Sequence, residues 1–409
     1  ALSALHTLGR GDNPRRREEL YLTRFIIDES YARWERDYVP LAGNLLKAPL
    51  RFTDPTDPGI GAAGTPLKDV REALKELNKP RLVILGEPGA GKTTTLDRLA
   101  FDLARDRLRD SLMFKIPFRV DLYNFIGEDR QPSTFLKDEW ETTGLNETYG
   151  AAIAQGQVCF LLDGVNQMPT ADLGKRIERW AHWANAELPA GNWAVFTCRT
   201  ADYVTNLRLP EVRVLSLDAE RMRHYFEIRF GPERAPDLWR EFELRLHSGD
   251  DRFEQLARNP FMLSLLAERA AESKSLTANR ALLMDDLAKS LVDRELSYQR
   301  QPDALTVDSR GTLNAAVEAL SRVAFAMQAR RISTGFTRAF AAAAPLDETG
   351  PVRLALDDLL DLATDATVLK ETQIGQGKEA RPGYAFYHHL LQEYFAAREL
   401  LRQFHAGKN

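Results

Sequence analysis

The stretch GEPGAGKTTT, residues 86–95, concentrates more usable chemistry than any other part of the chain. It has the spacing Gly-x-x-x-x-Gly-Lys-Thr, directly after an apolar run and at the head of a helical pattern. Gly86, Gly89 and Gly91, with the small Ala90 among them, let successive backbone N–H groups turn toward one anion. The helix that opens with Lys92, Thr93 and Thr94 adds the partial positive charge of its N-terminus. Lys92 is suited to reach β- and γ-phosphates, and the Thr93 hydroxyl to complete the shell of a Mg ion. The expected ligand is therefore a nucleotide with Mg.

A second run, VCFLLDGVNQMP at 158–169, carries Asp163 at the end of five apolar residues. That is the look of a buried strand, and open parallel sheets gather ligands at the C-terminal ends of their strands. A carboxylate buried there is costly unless a cation meets it, so Asp163 is expected to join Thr93 as the metal pair; the alternative is an aspartate in a surface turn. Arg199, in FTCRT after the next strand, would aim at the same edge, where an arginine can stabilise a terminal phosphate; the alternative is pairing with a nearby surface acid. Asn166 and Gln167 follow Asp163 at positions where a hydrolysing site could use acids, yet both are amides.

For these residues to meet, the chain must build a layered sheet. Apolar residues including Leu22, Phe25 and Ile26 predict a helix from Glu18 to about Tyr38, and FTDPTDPGIGAAGTP predicts a linker. PLKDVREALKELNK (66–79) reads as another helix, and RLVIL as a strand. There follow a helix at 92–108, a strand at 115–122, helices to about 155, the strand VCFLLD, a helix at 170–187 and a strand at 193–198. Continuously apolar strands separated by helices imply a parallel sheet covered on both faces. From about 218 the pattern is almost wholly helical, AFAAAAP (339–345) being read as the end of a helix. ATVLKE and YAFYH then surround a Gly- and charge-rich turn before a last helix, the order of a small winged-helix module. The expected class is α/β, a P-loop NTPase parallel sheet followed by an all-helical domain and a winged-helix domain. Its parts would be residues 1–65 as N-terminal helix and linker, 66–205 as nucleotide-binding domain, 206–300 as helical domain and 301–409 as winged helix.

Composition narrows the class without naming it. At 409 residues, two or three domains are expected, and 44% apolar with 28% charged residues is the balance of a soluble globular chain. No apolar run approaches the roughly 18 residues of a spanning helix and no signal peptide opens the chain, so no membrane partner and a cytoplasmic location are expected. Cys159 and Cys198 each lie in a strand-like run and read as buried thiols. A formal charge of −4 gives no electrostatic case for nucleic acid, and Arg15, Arg16 and Arg17 are answered at once by Glu18 and Glu19. The start at Ala1 suggests a processed or excised piece of something longer.

With GEPGAGKTTT, FLLDGVNQM and VFTCRT in this order, the chain resembles the NACHT branch of the STAND signalling NTPases. LARNPFML (256–263) looks like that family's helical segment in which a proline packs near the adenine, here Pro260. FYHHLLQEYFAAREL (386–400) looks like its winged-helix signature, and the resemblance covers roughly residues 66–400. It implies that His388, not His389, touches the β-phosphate of ADP and holds the molecule closed; the alternative is a histidine that packs or caps at the strand–helix junction. Gln392, Glu393, Tyr394 and Phe395 read as packing and capping residues rather than ligands. Family members usually carry acids where Asn166 and Gln167 stand, acids that orient or deprotonate the attacking water. An amide is nearly isosteric with its acid but accepts no proton, so binding should survive while the chemical step slows by ~10²–10⁴-fold. The two side-by-side isosteric changes read more readily as deliberate replacement than as natural drift.

The resemblance thus implies a nucleotide switch: closed with ADP, opening and forming a homo-oligomer with ATP, linked to effector and sensor domains outside this chain, and used in bacterial immune or anti-phage defence. Two other readings stay open at this point. A DNA-handling initiator or loader ATPase also joins a P-loop core to a winged helix, but would want a basic recognition helix where PVRLALDDLLDLATDATVLKE (351–371) is acidic. A nucleotide-stabilised scaffold would never switch.

Overall fold

A computed structural model describes residues 13–47, 64–249, 251–272, 279–298, 309–344, 354–374 and 381–407, apart from 79, 128, 146–147, 169–172, 204–206, 333–334, 367 and 388. The chain divides into two units, 1–247 with 257–263, and 248–256 with 264–409.

The first unit is built on a seven-stranded sheet. In chain order its strands are β1 (Gly43–Leu46), β2 (Thr65–Leu67), β3 (Arg81–Gly86), β4 (Ile116–Asp121), β5 (Val158–Asp163), β6 (Trp193–Arg199) and β7 (Glu211–Val214). Across the sheet they run β2-β1-β7-β3-β6-β5-β4. The five strands from β7 to β4 are parallel, and β1 and β2 extend the sheet antiparallel. Every residue of β3 and β5 is buried, as expected of strands covered on both faces. Register matters most at the C-terminal ends: Gly86 is level with Arg199, and Asp121 with Asp163. The phosphate loop, Asp163 and Arg199 therefore share one edge, with β6 inserted between the strand that feeds the loop and the strand that carries Asp163.

The helix Lys92–Arg109 packs by its buried stripe of Leu96, Leu99, Ala100, Leu103 and Ala104, at the spacing of one helical face. Near its end, buried Arg107 donates to the Phe114 carbonyl (2.7 Å) and to Glu18 (2.7 Å), tying the N-terminal helix Pro14–Ile27 to the sheet unit. That helix is not continuous to Tyr38. Asp28 leaves helical geometry (φ −77°, ψ 118°) and its carboxylate accepts from the Ser30 N–H, restarting the chain as Glu29–Ala32 and then Trp34–Asp37.

Segment 66–79 is likewise not one helix. Pro66 and Leu67 end β2, a single 3-10 turn covers Val70–Glu72, and only Ala73–Glu76 is α-helical. Asp69 and Glu72 cap each other's backbone, which starts the turn, and Leu77 ends the helix in extended geometry (φ −111°, ψ 129°) ahead of β3. β1 and β7 were not evident in sequence; each is four residues long, too short to show a period. In segment 170–187 the helix Leu173–His182 passes into a π-helical turn, Trp183–Glu187, whose Ala184 carbonyl accepts from buried Arg81 (2.5 Å). Of the predicted linker FTDPTDPGIGAAGTP (52–66), residues 52–63 lie outside the described residues, and Thr65 and Pro66 belong to β2 rather than to a linker.

After β7 comes Ala219–Leu246, broken at Gly231 where φ is +72°. In the second unit, Arg280–Tyr298 and Ser309–Ala329 precede the helix Leu356–Asp365, the antiparallel pair β8 (Leu369–Ile374) and β9 (Arg381–Phe386), and the helix His389–His405. A strand pair followed by a last helix is the order expected from ATVLKE, YAFYH and the C-terminal helical pattern. Gln392 and Phe395 are buried, Gln392 donates to the Ile332 carbonyl (2.8 Å), and Tyr394 donates to Asp285, so all three are packing groups. No described helix is long and apolar enough to cross a membrane.

Candidate functional site

The loop after β3 turns through Gly89 (φ +77°) and Gly91 (φ +85°), conformations open to glycine and strained for other residues. No side chain caps the helix that begins at Lys92, so its first amides remain available to an anion. Lys92 Nζ is folded back onto the loop, donating to the carbonyls of Gly86 (2.7 Å) and Glu87 (2.9 Å). Burial lowers its pKa to about 8, against the pull of Asp163, with Arg199 adding a like charge.

Thr93 Oγ1 donates to Asp163 Oδ2 at 2.8 Å, bringing together the two side chains expected to hold a metal. A hydroxyl and a carboxylate in contact beside an anion-binding loop are hard oxygen donors of the kind Mg takes, with phosphates left to supply further ligands. The residues present therefore fit a Mg–nucleotide. Once bound, the ion would neutralise phosphate charge.

Asp163 is 8% exposed and accepts from Thr93 and from two further donors. Thr197, from the inserted strand, donates to its Oδ1 and accepts from the Gly164 N–H at 2.9 Å. Arg119, from β4, donates to its Oδ2 at 2.8 Å. The same guanidinium reaches Asp121 Oδ1 (2.8 Å), the Val120 carbonyl (3.0 Å) and, through Nε, Asp97 Oδ1 (3.3 Å). Burial opposes the charge of Arg119, but Asp121, Asp163 and Asp97 hold its pKa well above the ordinary value. Asp97 is pushed up to about 6 by burial, with Arg119 opposing.

Arg199 ends β6 rather than following it, and its backbone N–H donates to Asn166 Oδ1 (3.3 Å). Its side chain approaches Asp202 only at 4.0 Å. Asn166 and Gln167 lie in the 3-10 turn Val165–Gln167 that Gly164 starts with φ +80°. Gln167 Oε1 sits 2.7 Å from the place a Cβ on Gly164 would occupy, so this amide folds over the glycine. Asn166, Gln167 and Arg199 thus stand at the same edge as Asp163.

Pro260 opens the helix Pro260–Ala271, and its neighbours clamp the phosphate loop. Asn259 donates to the Pro88 carbonyl (2.9 Å), Phe261 N–H donates to the Gly89 carbonyl (3.2 Å), and Asn259 Oδ1 accepts from Phe261 N–H (3.1 Å) and Met262 N–H (3.2 Å). His388 lies outside the described residues.

Sequence reading missed Arg119, Asp97, Thr197 and Asn259. Arg119 and Thr197 each left a signal, a polar residue interrupting a buried run, in IPFRVD and WAVFTCR. Asp97 looked like an ordinary helix residue, and Asn259 lay in a segment valued only for its proline.

Fold and site together define a nucleotide-binding P-loop NTPase. Residues 81–233 match the family model of the NACHT domain. No curated protein matches the sequence. Among solved structures, the chain is similar to the STAND protein with a tetratricopeptide repeat sensor from Pyrococcus horikoshii, at 12% identity and TM-score 0.40, over 80% of this chain and 41% of that one. The chain thus spans less than half of that protein's length. It is also similar to the Aeropyrum pernix ORC1 protein in complex with DNA (15% identity, TM-score 0.30, 82% of this chain and 91% of that one). For the ORC2 protein of the same organism, solved as ADPNP–ADP complexes, the figures are 12% identity, TM-score 0.31, and 81% and 93% coverage.

Proposed function

We propose that the chain is an ATP/ADP-dependent molecular switch of the NACHT type, closed with ADP and assembling into a homo-oligomer with ATP to signal, in bacterial immune or anti-phage defence. The observation that carries the reading is the convergence of Lys92, Thr93 and Asp163 at one sheet edge inside a NACHT match. Residues 66–205 would bind the nucleotide, 206–300 form the helical domain and 301–409 the winged helix, with Pro260 against the base and His388 on the β-phosphate of ADP. Effector and sensor partners would lie outside these residues.

Asn166 and Gln167 favour slow hydrolysis, because neither amide can take a proton from water. Arg199 would then sense or stabilise the terminal phosphate. A nucleic-acid role is disfavoured by the acidic helix Leu356–Asp365 ahead of the wing, which carries Asp357, Asp358, Asp361 and Asp365.

A switch needs nucleotides that bind the two shapes unequally, by about 5.5 kcal/mol for a nearly complete population change. The test is mass in solution with ADP, with ATP and without nucleotide, for this chain and for N166D/Q167E. The reading expects assembly with ATP alone, and loss of that assembly over time where acids are restored. The same mass under every condition would leave a nucleotide-bound scaffold instead.

A further inference from the structure

We propose that Arg119 is the positioning residue of the Mg site: from the neighbouring strand it fixes the Asp163 carboxylate toward Thr93, so that tightening of nucleotide binding by Mg depends on it. This rests on the nucleotide-binding reading above and adds to it a residue that touches neither phosphate nor metal.

The guanidinium uses all three of its nitrogens, on three elements. Nη2 meets Asp163 on β5, Nη1 meets Asp121 and the Val120 carbonyl on β4, and Nε meets Asp97 on the helix that follows the phosphate loop. Asp97 lies one helical turn beyond Thr93, so this guanidinium joins the helix carrying the Thr93 hydroxyl to the strand carrying the Asp163 carboxylate. Both Arg119 and Thr93 donate to the same oxygen, Oδ2, at 2.8 Å. Oδ1 is occupied by Thr197. The carboxylate is therefore held at both oxygens, and its rotation is fixed before any ligand arrives.

The charge balance points the same way. Three carboxylates, Asp97, Asp121 and Asp163, surround one guanidinium, and with all four ionised the cluster carries two net negative charges, the complement of a divalent cation. Removing Arg119 would leave three mutually repelling carboxylates, and Asp163 free to turn away from Thr93. A merely structural ion pair would stabilise the fold equally with or without Mg. A positioning role separates the two, because orienting groups behind a metal ligand typically change metal affinity by about 10–100-fold.

The experiment measures ADP affinity by calorimetry with Mg and again with EDTA, in the intact chain, R119K, and the triple variant R119M/D97N/D121N, which removes the carboxylates that R119M alone would strand. Thermal melts establish which variants are folded. The expected result is a graded loss of the Mg-induced tightening, largest in the triple variant at about tenfold or more and smaller in R119K, which keeps the charge but not the three-way bridge. Affinity in EDTA should stay within about threefold of the intact chain, since the phosphate loop is untouched. Equal Mg tightening in all folded variants would overturn the proposal. A complete absence of ADP uptake by the intact chain would overturn the nucleotide reading itself, a different failure.

Discussion

Raising the pH should strip the phosphate cradle of its lysine charge well before an ordinary lysine would lose it. Lys92 is desolvated, with a pKa lowered to about 8, and its ammonium donates to the carbonyls of Gly86 and Glu87. A bound phosphate would restore the charged form, so binding above this pKa must bring in a proton. From about pH 7.5 to about pH 9 the charged fraction of such a group falls about eightfold, whereas an unperturbed lysine stays almost wholly charged. ADP affinity should fall by a similar factor, about 1.2 kcal/mol. Calorimetry near about pH 8, in buffers of different ionisation enthalpy, should show uptake of about half a proton. Stability of the protein without nucleotide has a defined sign too. Its folded-state pKa is below the unfolded one, so the cost of burying the charge is fully present below about pH 8 and is relieved as pH rises toward the ordinary lysine value. Flat affinity across this range, with a binding enthalpy independent of buffer, would refute the desolvated lysine.

Two further tests concern packing around the site. G89A must place a Cβ at φ +77°, 2.9 Å from both Asn259 Oδ1 and Phe261 Cβ. Backbone strain of about 1–2 kcal/mol and crowding of about 1–3 kcal/mol add to a loss of about 2–5 kcal/mol in denaturant unfolding. G144A has a similar φ of +83° but open space around it, so it should lose only the backbone part; equal losses would contradict the clamp by Asn259 and Phe261. Cys159 and Cys198 are fully buried, and burial pushes Cys198 up to about 12, so neither should react with an alkylating reagent in the native state at neutral pH. Rapid labelling of either by mass spectrometry would show the sheet interior to be open.

The parts of this fold that were legible in sequence are those with a long or dense signal. β3 and β5 announced themselves as unbroken apolar runs, and GEPGAGKTTT needs its glycines wherever it occurs, so the cradle of Lys92, Thr93 and Asp163 could be read directly. What escaped was decided by partners distant in sequence. β1 and β7 exist because each supplies the other's backbone hydrogen bonds, Gly43 level with Val214, and four residues alone carry no period. The helix expected to reach Tyr38 stops at Asp28 because a local side-chain hydrogen bond competes with the helix. Arg119 is the clearest case: only the parallel register of β4 with β5 sets it against Asp163, and no local pattern encodes that register.

The most direct test of the account is titration of ADP with Mg into the chain by calorimetry, beside K92A as the comparison. The account predicts one site per chain, tightened by Mg and abolished in K92A. Heats indistinguishable between the two proteins, or none in either, would contradict it.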